Sequence, residues 1–83
     1  MSEAAGDVKG LVEQIAKNLV SEPDQVSVEQ LEEEGRTLIT LKVSPHDLGR
    51  VIGKQGRTAR AMRNLLFAAG VKLDRQFALE IVE

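Results

Sequence analysis

The stretch Asp47-Leu48-Gly49-Arg50-Val51-Ile52-Gly53-Lys54-Gln55-Gly56-Arg57-Thr58 decides how this chain is read. Leu48, Val51 and Ile52 recur at the spacing of one helical face. Gly53 and Gly56 then interrupt the pattern, which resumes from Arg57 to Ala69. Residues without a Cβ let a backbone turn sharply and approach a ligand closely. The helix starting near Arg57 directs its first N–H groups, with their partial positive charge, at the same place. Lys54 and Arg57 add full charges.

Two signals open the helix before the loop. Ser44 and Asp47 have capping-box spacing, and Pro45 occupies the first helical position, where its missing N–H costs nothing. A short helix is predicted from Pro45 to Ile52. Gly70 is placed to close the following helix in a left-handed conformation. Beyond it, Phe77, Leu79 and Ile81 alternate in a strand predicted over Leu73 to Val82.

Toward the N-terminus, Ile39, Leu41 and Val43 mark a strand from Thr37 to Val43, and Val26 and Val28 mark another from Gln25 to Leu31. The run Glu32-Glu33-Glu34-Gly35 between them reads as a polar hairpin turn. Val8, Leu11, Val12, Ile15, Ala16, Leu19 and Val20 form an amphipathic helix, with Asp7 to cap it and Pro23 to stop it. The order is α-β-β-α-α-β, an α+β class in which three helices cover one face of a three-stranded sheet. Residues 1–7 read as a flexible N-terminal extension, and residues 8–83 as a single domain.

Composition narrows the function. The chain has 83 residues, 42% apolar and 29% charged, and no cysteine. That is one folded domain with a modest core, without disulfides or a cysteine-based metal site. A single histidine makes a structural zinc site hard to build. Neither a secretory signal nor an apolar run of about 20 residues is visible, which implies a cytoplasmic protein without a membrane segment.

The net charge of −2 conceals a division. Residues 1–47 hold ten acidic and four basic side chains, whereas residues 48–73 hold six basic ones (Arg50, Lys54, Arg57, Arg60, Arg63, Lys72) and no acid. Screening limits surface electrostatics to about 8–10 Å, so this basic segment attracts phosphate despite the acidic total.

Nucleotide-binding and catalytic motifs fail on inspection. A P-loop ending at Gly53-Lys54 needs glycine where Leu48 stands and Ser or Thr where Gln55 stands. Val51 occupies a position where the Rossmann fingerprint needs glycine. Ser44, His46 and Asp47 are explained together by one helix cap, so they do not make a catalytic triad. Glu32, Glu33 and Glu34 have no partner histidine and read as solvated. Neither an enzyme nor a small-molecule substrate is expected, and no cofactor.

The Gly-x-x-Gly loop between an apolar helix and a basic one, within the α-β-β-α-α-β order, resembles the KH family in its type II arrangement. The segment from Asp47 to Thr58 is similar to the small stand-alone bacterial KH proteins of the KhpA type, and the resemblance extends over nearly the whole chain. It implies that residues 8–83 form a KH domain that clamps about four nucleotides of single-stranded RNA and reads their base edges in an apolar groove. The residues this assigns to RNA are Gly53, Lys54, Gln55, Gly56, Arg57, Arg50, Arg60, Val51 and Ile52, with Ile39 or Leu41 completing the groove. It also implies a partner, a larger KH protein of the KhpB (Jag-like) type, with links to cell-envelope growth.

A rival reading makes the chain a dimerisation subunit. Met62, Leu66 and Ala69 exceed what a thin core needs and suggest a homodimer or a KH heterodimer through the third helix. Met62→Asp should then yield a folded monomer. Phe67 is expected to pack against the first helix rather than stand exposed.

Overall fold

The strands lie in the order β1-β2-β3, with β1 (Ser27–Glu33) antiparallel to β2 (Arg36–Lys42) and β2 parallel to β3 (Gln76–Val82). Three α-helices, α1 (Ser2–Leu19), α2 (Leu48–Ile52) and α3 (Arg57–Leu73), and single 3-10 turns at Pro23–Gln25, Pro45–Asp47 and Lys54–Gly56 complete the described elements. This computed structural model describes residues 2–83, with side chains from Val8 onward. The α+β class and the α-β-β-α-α-β order are as the sequence predicts.

Period-two alternation puts Thr37, Ile39 and Leu41 of β2 on the buried face, while Leu38 and Thr40 point the other way. Val28 and Leu79 extend the buried face across the neighbouring strands. From the helices come Val8, Val12 and Ala16 of α1, Val51 of α2, and Met62 and Leu66 of α3. Each such side chain contributes about 1.5–3 kcal/mol when fully buried, less for alanine.

The model moves several boundaries. The backbone of α1 runs on through Asp7 to Ser2, because Glu3, Ala4 and Ala5 are good helix formers. Asp7 therefore stands inside α1 and is not its N-cap, and the flexibility expected of residues 1–7 lies outside what the structure describes. The hairpin turn is only Glu34-Gly35, both at positive φ (35° and 84°), the signature of a tight two-residue turn. Glu32 and Glu33 remain in β1, paired with Thr37 and Arg36. Thr37 donates its hydroxyl to Glu32 at 3.1 Å, and Arg75 reaches the same carboxylate at 3.4 Å.

Gly70 does not end α3. The helix continues to Leu73, and Asp74 takes the left-handed position at φ 56°. Gly70 is buried, and a Cβ there would collide with the carbonyl oxygen of Arg75. It is therefore glycine because the chain entering β3 passes against it.

The residues proposed for a dimer interface are core. Met62 is 3% exposed, Leu66 is buried, and Ala69 packs against the same cluster. Met62→Asp would bury a carboxylate and unfold the domain instead of giving a folded monomer. Phe67, expected inside, is 73% exposed. Among the described residues no helix is long and apolar enough to cross a membrane.

Candidate nucleic-acid interface

Helix α2 is only five residues long, too short to be stable alone, so tertiary anchors position the loop that follows it. One anchor is Val51, which is fully buried. The other is Asp47, whose carboxylate accepts from the Ser21 backbone N–H (3.0 Å), the Ser21 hydroxyl (2.9 Å) and the Glu22 N–H (3.1 Å). Asp47 thus ties the start of α2 to the segment after α1, and does not complete a capping box with Ser44. Ser44 accepts from the His46 N–H at 3.3 Å and donates its hydroxyl to Glu22 at 3.0 Å.

These bonds hold the Asp47 carboxyl below the usual aspartate range. The Ser21 N–H is the largest cause, opposed by burial and reinforced by the Ser21 hydroxyl, the Glu22 N–H and the Arg50 guanidinium. Arg50 lies 3.8 Å from the same carboxylate, on an otherwise open side chain.

The loop needs three left-handed residues in succession of four. Gly53 sits at φ 82°, ψ 168°, Gln55 at φ 57°, ψ 27°, and Gly56 at φ 72°, ψ 15°. The first is a region essentially restricted to glycine. A Cβ on Gly53 would also collide with the Thr58 hydroxyl and lie 2.8 Å from its Cβ. Gly56 differs: a Cβ there would meet nothing within 4 Å. One glycine is required by packing, and the other leaves open space. Gln55 holds its conformation without glycine's freedom, and the Arg57 guanidinium donates to its side-chain oxygen at 3.3 Å.

No side chain caps α3 at Gly56, where the Arg57 N–H bonds back to the Lys54 carbonyl, so no side chain neutralises the partial positive charge of this helix end. Lys54, Arg57, Arg60 and Arg63 make no ion pair among the described residues. Beside them, Ile52, Gly56, Ala59, Arg60, Arg63 and Ile81 line a shallow open depression of about 410 Å³. Its lining combines apolar Ile52, Ala59 and Ile81 with the cations Arg60 and Arg63.

The sequence-assigned residues divide accordingly. Gly53, Lys54, Gln55, Gly56 and Arg57 form the loop, while Ile52, 36% exposed, and Arg60 line the depression. Val51 is corrected to a core residue, since its side chain has no exposed surface. Ile39 and Leu41 are equally buried and cannot wall a groove. The wall is Ile81 of β3, which pairs with Leu41 across the sheet. Sequence reading missed Ile81, because the period-two pattern that marks it as inward-facing does not reveal that it borders the loop. No group of three His, Cys, Asp or Glu side chains able to hold a metal occurs among the described residues.

Comparisons with known proteins bear on the family and the fold. Residues 9–81 match the family model described as KhpA/KhpB, KH domain. An RNA-binding protein KhpA from Aquifex aeolicus is 49% identical over 76 residues, covering 92% of this chain and 96% of that one. Its counterpart from Clostridium acetobutylicum is 47% identical over 75 residues, covering 90% and 100%. The Borreliella burgdorferi protein of the same name is 41% identical over 83 residues, with both chains fully covered. Among solved structures, Era in complex with MgGDPNP and nucleotides 1506–1542 of 16S ribosomal RNA superposes with a TM-score of 0.57 at 18% identity. That match spans 90% of this chain and 29% of Era, and it supports the fold alone. With the family model matching residues 9–81 and relatives above 40% identity covered almost end to end, the chain belongs to the KhpA/KhpB family of KH-domain RNA-binding proteins, which is not a family of enzymes.

Proposed function

We propose that this chain clamps a short single-stranded RNA segment at the loop Gly53–Gly56 and acts in post-transcriptional control or as an RNA chaperone, beside a second KH protein of the KhpB type. The observation that carries the reading is the pairing of an uncapped helix N-terminus at Gly56 with unpaired cations around an apolar depression. The open side of Gly56 lets a sugar-phosphate chain approach the backbone, and Lys54 and Arg57 supply charge. Bases would then lie over Ile52, Ala59 and Ile81. Nothing in this arrangement performs chemistry on the RNA.

A four-nucleotide site of this kind gives a Kd on the order of micromolar, about −8 kcal/mol. A second KH domain raises the effective affinity through linkage, which is the physical rationale for a heterodimer or homodimer. Fluorescence anisotropy with a short unstructured RNA and with a duplex of the same length tests the reading. Single-strand binding that weakens with salt is expected. Absence of single-strand binding at low salt, with a clear dimer on sizing, would favour an interaction subunit instead.

A further inference from the structure

Phe67 stands on α3 seven residues beyond Arg60 and four beyond Arg63. Seven residues are nearly two helical turns, so Phe67 lies within about 20° of Arg60 around the axis and about 10 Å farther along it. The chain has two aromatic residues in all, and the other, Phe77, is half-buried against the core. Phe67 is 73% exposed, and Val71, one turn on, is exposed beside it. Such a ring costs solubility and supplies the core with nothing.

It borders a second concavity of about 760 Å³, lined on its apolar side by Phe67, Val71 and Phe77. The two concavities lie along the same flank of the sheet. Ile81 of β3 borders the one at the glycine loop and Phe77 the other, four residues apart on one strand, about 13 Å. Arg60 and Arg63 stand at the first, on the same helical face that leads to Phe67. The rim of the second is electrically balanced, with Arg36 and Arg75 against Glu34 and Asp74. It has no net charge with which to draw a phosphate.

We infer that Phe67 is a base-stacking platform for a nucleotide beyond those clamped at Gly53–Gly56, the RNA passing from the loop over Arg60 and Arg63 to this ring. The inference rests on the RNA-clamp reading and extends its binding path. A base offers a π face to any exposed ring, so the added contact is tolerant of sequence and nearly independent of salt. Continuity with the cationic groove favours RNA over a second protein as the occupant.

The test measures anisotropy with a four-nucleotide and an eight-nucleotide oligouridine, on the unmodified protein, Phe67→Ala, Phe67→Tyr and the doubly charged loop variant Lys54→Asp/Gln55→Asp. Phe67→Ala should weaken the eight-nucleotide RNA at least about fivefold, leave the four-nucleotide RNA unchanged, and keep the same salt slope. Phe67→Tyr should restore binding. Thermal melting should be unaltered, because the ring is exposed. Equal binding of the longer RNA by Phe67→Ala and the unmodified protein would overturn the stacking site while leaving the clamp intact. So would a change of oligomeric state without a change in RNA affinity, which would assign the ring to a protein contact. No binding of either RNA by the unmodified protein, or undiminished binding by the loop variant, would overturn the clamp, and the extension with it.

Discussion

Three connections among the described residues enter the left-handed half of backbone space: Glu34-Gly35 between β1 and β2, Gly53–Gly56 between α2 and α3, and Asp74 before β3; the first two are built on glycine. The hairpin turn sits among Glu32, Glu33 and Glu34, and a Cβ on its Gly35 would meet nothing within 4 Å. The second loop is flanked by Lys54, Arg57 and Arg60, precedes an uncapped helix N-terminus and borders an apolar depression. The depression lies at the Leu41–Ile81 end of the sheet, away from the hairpin turn. Positive φ is thus a requirement of connection in both places. Both turns border a concavity, so what separates a turn from a binding loop is the charge beside it, balanced at the hairpin and cationic at Gly53–Gly56.

Alanine in place of the glycines sharpens this contrast most. Gly35→Ala strains the backbone alone and should cost about 1 kcal/mol. Gly53→Ala adds a collision with Thr58 in a region closed to alanine, and should cost about 3 kcal/mol or more. Denaturant unfolding of both variants measures the difference. Equal costs would mean that Thr58 yields easily and that Gly53 is not fixed by packing.

Acid should next weaken the support of the binding loop. The folded-state pKa of Asp47 is depressed, so its contribution is present above the ordinary carboxylate pKa and disappears as pH falls through the lower folded value. Asp47→Asn, which leaves only one acceptor oxygen for the Ser21 and Glu22 donors, should melt lower at neutral pH. The gap to the unmodified protein should narrow below about pH 4. Thermal melts from pH 7 to pH 2 check this, and a gap that stays constant would remove the carboxylate's charge from the explanation.

Smaller effects compare single charges at the two turns. Arg57→Ala should weaken all RNA sequences alike and lower the salt slope by about 0.7. Arg75→Ala loses the exposed pair with Glu32, worth at most about 1 kcal/mol of stability, and should leave the slope unchanged. Glu34→Gln, at the hairpin, should alter binding to a four-nucleotide RNA by less than about twofold, since it lies beyond screening distance of the loop's phosphate. Affinities measured across a salt series separate these outcomes. A larger effect from Glu34→Gln than from Arg57→Ala would place the RNA on the wrong turn.

The order of elements was legible because each carries a strong period and its own stop signal. Mistakes arose where a residue answers to a distant partner. Asp47 has the spacing of a capping box with Ser44, yet its hydrogen bonds run to Ser21 and Glu22, which no local pattern exposes. Glu32 looks like part of an acidic turn, but Thr37 and Arg75 hold it in the ladder. Gly70 has a helix-ending composition and is instead buried where the chain doubles back, leaving Asp74 to adopt the left-handed conformation. The loop itself was legible because its glycines and cations are adjacent in sequence. Its apolar wall was not, since Ile81 arrives there only through the parallel pairing of β2 with β3.

The double change Lys54→Asp and Gln55→Asp tests the central claim most directly. Both glycines remain, and aspartate tolerates the left-handed position held by Gln55 at φ 57°. Unfolding free energy should therefore stay within about 0.5 kcal/mol of the unmodified protein. Binding loses one attractive charge and gains two repulsive ones near the phosphate, each worth on the order of 1 kcal/mol at the surface. Thermal melting and anisotropy with a short unstructured RNA, read on the same samples, should show an unchanged melt and at least a tenfold weaker affinity. An unchanged melt with undiminished affinity would contradict the account and take the Gly53–Gly56 loop out of RNA binding.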